Sequence, residues 1–198
     1  MLKNLFAVLS VLLMSVSALA AQVGSPAPNF QGIDSNGHPQ TLAQYRGKLV
    51  VLEWHNQGCP YVKKHYGSGN MQRLQKQWKE KGVVWLTIIS SAVGHEGYVT
   101  ANQENAYLKE KSATPTAAIL DAKGTIGRLY GAKTTPHMFV INAKGILVYN
   151  GAIDDKESTE MADAAGARNY VSEALNELLA GKPVKIATTR PYGCGVKY

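Results

Sequence analysis

Val50-Val51-Leu52-Glu53-Trp54-His55-Asn56-Gln57-Gly58-Cys59-Pro60-Tyr61-Val62-Lys63-Lys64-His65-Tyr66 reads as a buried strand running into a helix, with a cysteine at the joint. The apolar, β-branched run from Leu49 to Leu52 suits a strand covered on both faces, and Asn56-Gln57-Gly58 turns the chain out of the sheet. Pro60 signals the helix start, because its missing N–H would have no partner in the first turn and its fixed φ already matches the helix. Cys59 is then the cap residue, with the free N–H groups and positive end of the helix aimed at its sulfur, a placement that favours the reactive thiolate.

The chain has 198 residues, and the first twenty have the features of an export signal. Lys3 supplies the charged region, Leu5 to Met14 the apolar region, and Ala18-Leu19-Ala20 a small-residue cleavage site. An uncleaved anchor is the alternative; the serines at 15 and 17 and the cleavage site favour removal. No other apolar run is long enough to span a bilayer. The expected location is periplasmic or secreted, with no stable membrane association after removal. The two cysteines, Cys59 and Cys194, both lie beyond the leader, and in an oxidising compartment they most simply pair, permanently or in turn. The formal net charge of +7 would suggest nucleic acid, but export argues against that partner, and the basic residues read as a solvated surface.

Residues 29 to 42, with the turn signal Asp34-Ser35-Asn36-Gly37, are expected to form a hairpin ahead of the main sheet. After Cys59 comes a short helix, ended by Gly67-Ser68-Gly69. A second runs from Met71 to about Lys81 with Asn70 as its cap, and Met71, Leu74 and Trp78 on one face. Val83 to Ile89 is another buried strand, Tyr98 to Lys111 a helix and Ala117 to Leu120 a short strand. Thr134 to Tyr149 forms a hairpin, and a last helix spans Ala164 to Ala180, stopped by Gly181 and Pro183. This alternation predicts an α/β sandwich around a mixed central sheet, with an N-terminal β-hairpin extension and a C-terminal arm. The expected organisation is a signal at 1–20, one domain at 21–181 and an arm at 182–198 carrying Cys194.

The chain resembles the thioredoxin superfamily, within it the redoxin branch of alkyl hydroperoxide reductase and thiol-specific antioxidant proteins. Gly24-x-x-Ala27-Pro28-Asn29-Phe30, Asp34-x-x-Gly37, Leu42, Gly47-Lys48 and Val50-Val51 match that branch's N-terminal pattern. Thr135-Pro136 before a hairpin resembles the superfamily's cis-proline loop, which faces the active cysteine. The tail is similar to that of peroxiredoxin-like exported proteins ending in Pro-Tyr-Gly-Cys. Two departures bear on function. Val62 stands where thioredoxins carry their second cysteine, which excludes a local dithiol shuttle. Asn56 stands where typical peroxiredoxins place a threonine, with no proline nearby, and this leaves the substrate open.

The resemblance implies that Cys59 attacks either a peroxide, giving a sulfenic acid, or a protein disulfide, giving a mixed disulfide, and that Cys194 resolves the intermediate. An unidentified thiol would supply electrons, and no cofactor is implied. Glu53, six residues before Cys59, falls where thioredoxins hold a buried carboxylate used in proton transfer, although a salt bridge to a lysine is the plainer alternative. His137, next to Pro136, is expected to face Cys59, where it would stabilise the thiolate or move protons. His55 reads as a partly buried structural histidine. Two other classes of function use the same residues. Cys59 with His137 and His55 or His95 would bind copper or zinc. A permanent Cys59–Cys194 disulfide would instead pin the tail of a non-catalytic scaffold, closing a loop of about 135 residues for about 4 to 5 kcal/mol of stabilisation.

Overall fold

The β-branched run forms the middle of the sheet in the computed structural model, which describes residues 20–198. The proposed leader lies outside the described residues except for Ala20. β1 (Gln31–Ile33) and β2 (Pro39–Thr41) form the N-terminal hairpin, with Gln31 opposite Thr41. The Asp34 carboxylate holds its turn by accepting from the N–H groups of Asn36 and His38, both at 2.9 Å. β3 (Val50–Trp54) follows and is buried at every position.

The chain then runs through α1 (Pro60–Gly67), α2 (Asn70–Glu80), β4 (Val84–Ile89), α3 (Ala101–Glu110), β5 (Ala117–Leu120) and α4 (Thr125–Tyr130). β6 (Thr134–Thr135), β7 (His137–Ile141), β8 (Leu147–Gly151), α5 (Tyr170–Leu179) and β9 (Cys194–Gly195) complete it. The central sheet has the order β5-β4-β3-β7-β8. β3 runs parallel to β4 and antiparallel to β7, which makes the sheet mixed. β6 and β9 pair separately, just ahead of β7.

The pleat of β3 divides the core. Val51 points into a cluster with Val62 and Tyr66 of α1, Met71, Leu74 and Trp78 of α2, and Val171 and Leu175 of α5. Val50, Leu52 and Trp54 point the other way, against Phe30, Ile126, Tyr130 and Phe139. Burial of each large apolar side chain contributes about 1.5–3 kcal/mol, so a strand buried on both faces is the element least free to move.

Three helix boundaries differ from the sequence reading, each for a local reason. The helix expected from Tyr98 starts at Ala101, because Thr100 and Gln103 form a reciprocal capping box. The helix expected from Ala164 starts at Tyr170, where the Asn169 side chain accepts from the Ser172 N–H at 2.8 Å. Asn70 does not cap α2. Gly69 does, at φ +72°, and the Asn70 amide bonds His65 Nδ1 at 2.9 Å.

Candidate active site

The ladder of β3 ends where the His55 N–H donates to the Ile88 carbonyl at 2.9 Å. Asn56 then builds the turn, its side-chain oxygen accepting from the Gly58 N–H at 2.8 Å and its carbonyl from the Cys59 N–H at 3.0 Å. Cys59 is the residue before α1, with extended φ −68° and ψ 125°, and its carbonyl takes the first helical bond from the Lys63 N–H. Pro60 occupies the first turn as the sequence predicts. The Cys59 thiol is fully buried and donates to the Thr135 carbonyl at 3.0 Å. The Thr135–Pro136 peptide bond is cis.

Thr135 also receives the C-terminal arm. β9 runs antiparallel to β6, with Cys194 opposite Thr135 and Gly195 opposite Thr134. Cys194 packs against the same apolar cluster as Cys59. Burial first, then the neighbouring Cys59, pushes the Cys194 thiol up to about 12. Gly193 makes the approach possible: its φ is +139°, and a β-carbon there would run into the Thr135 carbonyl. The arm is not the loose segment that its lack of periodicity suggests. Thr189 donates or accepts at Tyr149 Oη at 2.7 Å and accepts from the Ala152 N–H at 2.9 Å, while Tyr198 donates to the Ala132 carbonyl at 2.7 Å.

Glu53 points to the α1 side of the sheet and is fully buried. One carboxylate oxygen accepts from Tyr66 Oη at 2.9 Å; the other accepts from Trp85 Nε1 at 2.7 Å, Thr87 Oγ1 at 3.3 Å and Gln75 Nε2 at 3.4 Å. No lysine is among these partners. His55 lies 3.7 Å from Glu53 and is buried between the rings of Tyr66 and Tyr107. Burial opposes its charge, but Glu53 and then Glu104 outweigh burial and raise its pKa above the usual histidine value.

His137 does not meet Cys59. It stands opposite Trp54 in the sheet and stacks on Phe139, on the face away from the Cys59 cluster, while Met138 takes the Cys59 side. Its Nδ1 accepts from the Lys133 N–H at 3.2 Å, so Nε2 carries the proton and donates to Asn150 Oδ1 at 2.7 Å. Burial lowers its pKa to about 4. The ligand set for copper or zinc is therefore not brought together by the fold, and His95 lies exposed in the loop after β4. Among the described residues no three His, Cys, Asp or Glu side chains are placed to hold a metal ion.

A helix-flanked mixed sheet with a cysteine capping the first helix, opposite a cis-proline, defines a thioredoxin-fold protein of the thiol-redox class. The chain belongs to the AhpC/TSA family, whose sequence model matches residues 23–150. It is similar to the thioredoxin-like protein YneN of Bacillus subtilis (strain 168), 25% identical over 151 residues that cover 75% of this chain and 84% of that one. The thiol-disulfide oxidoreductase ResA of the same organism is 29% identical over 125 residues, covering 63% of this chain and 64% of ResA. In structure it is similar to an uncharacterized conserved protein from Geobacillus kaustophilus, with a TM-score of 0.78, 22% identity and coverage of 89% and 92%.

Proposed function

We propose that the chain is an exported thiol-dependent oxidoreductase in which Cys59 attacks a disulfide and Cys194 resolves the mixed disulfide. The observation that carries this is the docking of Cys194 opposite Thr135, whose carbonyl holds the Cys59 thiol. Cys194, pushed up to about 12, stays protonated at neutral pH, so Cys59 at the helix start is the attacking sulfur. Disulfide is favoured over peroxide because the residue three before Cys59 offers no hydroxyl. Asn56 is buried there and its oxygen is engaged with the Gly58 N–H. The name of ResA agrees with disulfide chemistry. A second substrate, peroxide, is favoured by one observation: Cys59 is wholly covered, which admits a small oxidant more readily than a protein.

Residues 1–20 are taken as the export signal, 21–181 as the redox domain and 182–198 as the arm. Within the described residues no helix is long and apolar enough to cross a membrane. Electrons would return from an external thiol.

The test is single-turnover oxidation of the reduced Cys194→Ser protein, by glutathione disulfide in one arm and hydrogen peroxide in the other. A glutathione adduct on Cys59 in mass spectrometry, formed faster than the sulfenic acid, supports disulfide exchange, and the reverse order supports peroxide reduction. If neither oxidant modifies Cys59 faster than it modifies free cysteine, the enzyme assignment fails and the scaffold alternative stands.

A further inference from the structure

Tyr192 is two residues before Cys194 and is buried at 4% exposure. Its hydroxyl donates to Asp154 Oδ1 at 2.5 Å, and the same oxygen accepts from the Lys156 N–H at 2.9 Å. Three side chains of α1 close around it. The Tyr61 ring lies 5.7 Å away, the Lys64 ammonium 5.7 Å from the ring centre, and His65 Nε2 3.4 Å from the hydroxyl. Lys64 is itself fully buried and donates to the Lys156 carbonyl at 2.6 Å.

This is an unusual assembly for simple core filling. Lysine and aspartate are rarely fully buried without a close partner, and Asp154 Oδ2 has no hydrogen-bond partner, a cost that apolar packing would avoid. What the cluster achieves is a common mounting. α1 has Cys59 at its N-cap and grips Tyr192 along its length, so both cysteines are referred to one rigid helix. Only Gly193 separates the gripped residue from Cys194. Burial, with Asp154 beside it, pushes ionisation of Tyr192 far above the ordinary range, so its hydroxyl remains a donor at working pH.

Resting on the assignment of Cys194 as the resolving thiol, we propose that Tyr192, clasped by Asp154 and α1, is a positioning residue that holds Cys194 against Cys59 for disulfide formation. In the step it serves, the Cys194 sulfur attacks Cys59 of the mixed disulfide. The Cys59–Cys194 bond forms, the bond from Cys59 to the substrate sulfur breaks, and the proton of Cys194 leaves with the substrate thiol. Both cysteines end oxidised by two electrons in total, and the substrate disulfide is reduced by the same two. The clasp acts by keeping the reduced arm docked, so that the second thiol is already at its target when the first has reacted.

The test is redox titration of the pair in glutathione buffers, reading the Cys59–Cys194 disulfide by thiol trapping and mass spectrometry in wild type, Tyr192→Phe, Asp154→Ala and Asp154→Asn. Loss of one hydrogen bond to a charged group predicts that the equilibrium constant for the disulfide falls about tenfold in Tyr192→Phe and Asp154→Ala. A tenfold fall is a potential about 30 mV less reducing. Asp154→Asn, which keeps the acceptor oxygen, should stay within about threefold of wild type. The proposal is overturned if Tyr192→Phe and Asp154→Ala keep the wild-type constant within about twofold while melting earlier, since the clasp then only stabilises the fold. The Asp154 pair carries the test alone if Tyr192→Phe does not fold. Absence of the disulfide in wild type is a separate result, visible before any variant is made, and it overturns both the resolving role of Cys194 and the positioning role of Tyr192.

Discussion

Cys59 and Cys194 both meet Thr135, by unlike means. Cys59 is mounted by backbone: a strand buried on both faces, an Asn56 turn and a proline-started helix, all between residues 50 and 63. Cys194 is mounted by partners distant in sequence, through the short pairing of β9 with β6 and through side-chain ties, among them Asp154 for Tyr192 and Tyr149 for Thr189. Cys59, the proposed nucleophile, is thus fixed by backbone close to it in sequence, whereas Cys194 hangs on ties that can be removed one at a time. A thiol that must move between attacking a partner sulfur and releasing it gains from the second kind of mount, and a thiolate that must meet every substrate in one geometry gains from the first.

The largest expected effect breaks the pair from the nucleophile's side. Cys59→Ser should abolish substrate reduction entirely, while Cys194→Ser should still consume one equivalent of oxidant and stop at an adduct on Cys59. Intact-mass spectrometry after a single turnover distinguishes the two. Equal loss in both variants would mean that the cysteines act only as a clamp.

The mount of Cys59 extends below β3 through Glu53, whose carboxylate takes hydrogen bonds from Tyr66, Trp85, Thr87 and Gln75. Glu53→Gln turns an NH2 group toward these donors and leaves at least one buried group unpaired. It should destabilise the protein by about 3 kcal/mol, a fall of roughly 6–12 °C in melting temperature. Chemical and thermal denaturation check this. A change below ~1 kcal/mol would show that the network reorganises around the amide.

The mount of Cys194 is more local to break. In Gly193→Ala the added methyl group would occupy the place of the Thr135 carbonyl, at a φ that side chains seldom adopt. β9 should leave β6, and closure of the disulfide should slow about a hundredfold with global stability lowered far less than by Glu53→Gln. Freed from burial and from Cys59, Cys194 should then alkylate near the ordinary cysteine range rather than near the value of about 12 that it has when docked. A variant whose Cys194 keeps the docked reactivity would show that the arm tolerates the methyl group.

The same contrast explains what the sequence made legible. Cys59 was readable because each of its supports is a local pattern: a β-branched run, an Asn-Gln-Gly turn and a proline after the cysteine. The family pattern from Gly24 to Val51 was readable for the same reason. The docking of the arm was not, because Tyr192, Asp154 and Lys64 are far apart in the chain and nothing local marks Lys64 as buried. Helical spacing carries a signal for two of its neighbours, since His65 and Tyr66 fall three and four residues after the buried Val62. His137 failed differently. Its place beside Pro136 suggested that it would face Cys59, but the pleat of β7 sends alternate residues to opposite faces and gives the Cys59 side to Met138.

His137 nevertheless bears on both mounts from behind. Its Nδ1 holds the Lys133 N–H, and the Lys133 carbonyl accepts from the Val196 N–H at 3.1 Å beside β9. Protonating Nδ1 would set two donors against each other. With a folded pKa of about 4, held down by burial and then by Lys133, against about 6.5 in the unfolded chain, the unfolded state binds the extra proton throughout that window. Stability is therefore complete above pH 6.5 and is lost as pH falls toward 4. The contribution of this one histidine is about 2 kcal/mol by pH 5. His65, also lowered to about 4 by burial and by Lys64, adds a loss of the same sign, while the raised pKa of His55 acts in the opposite direction. His137→Gln, whose side-chain oxygen can still accept from Lys133, should flatten the fall in melting temperature between pH 7 and 5 by roughly 4–8 °C. An unchanged pH profile would mean that His137 takes up its proton over the same pH range in the folded and unfolded protein, and that the loop holding both cysteines is not braced from this side.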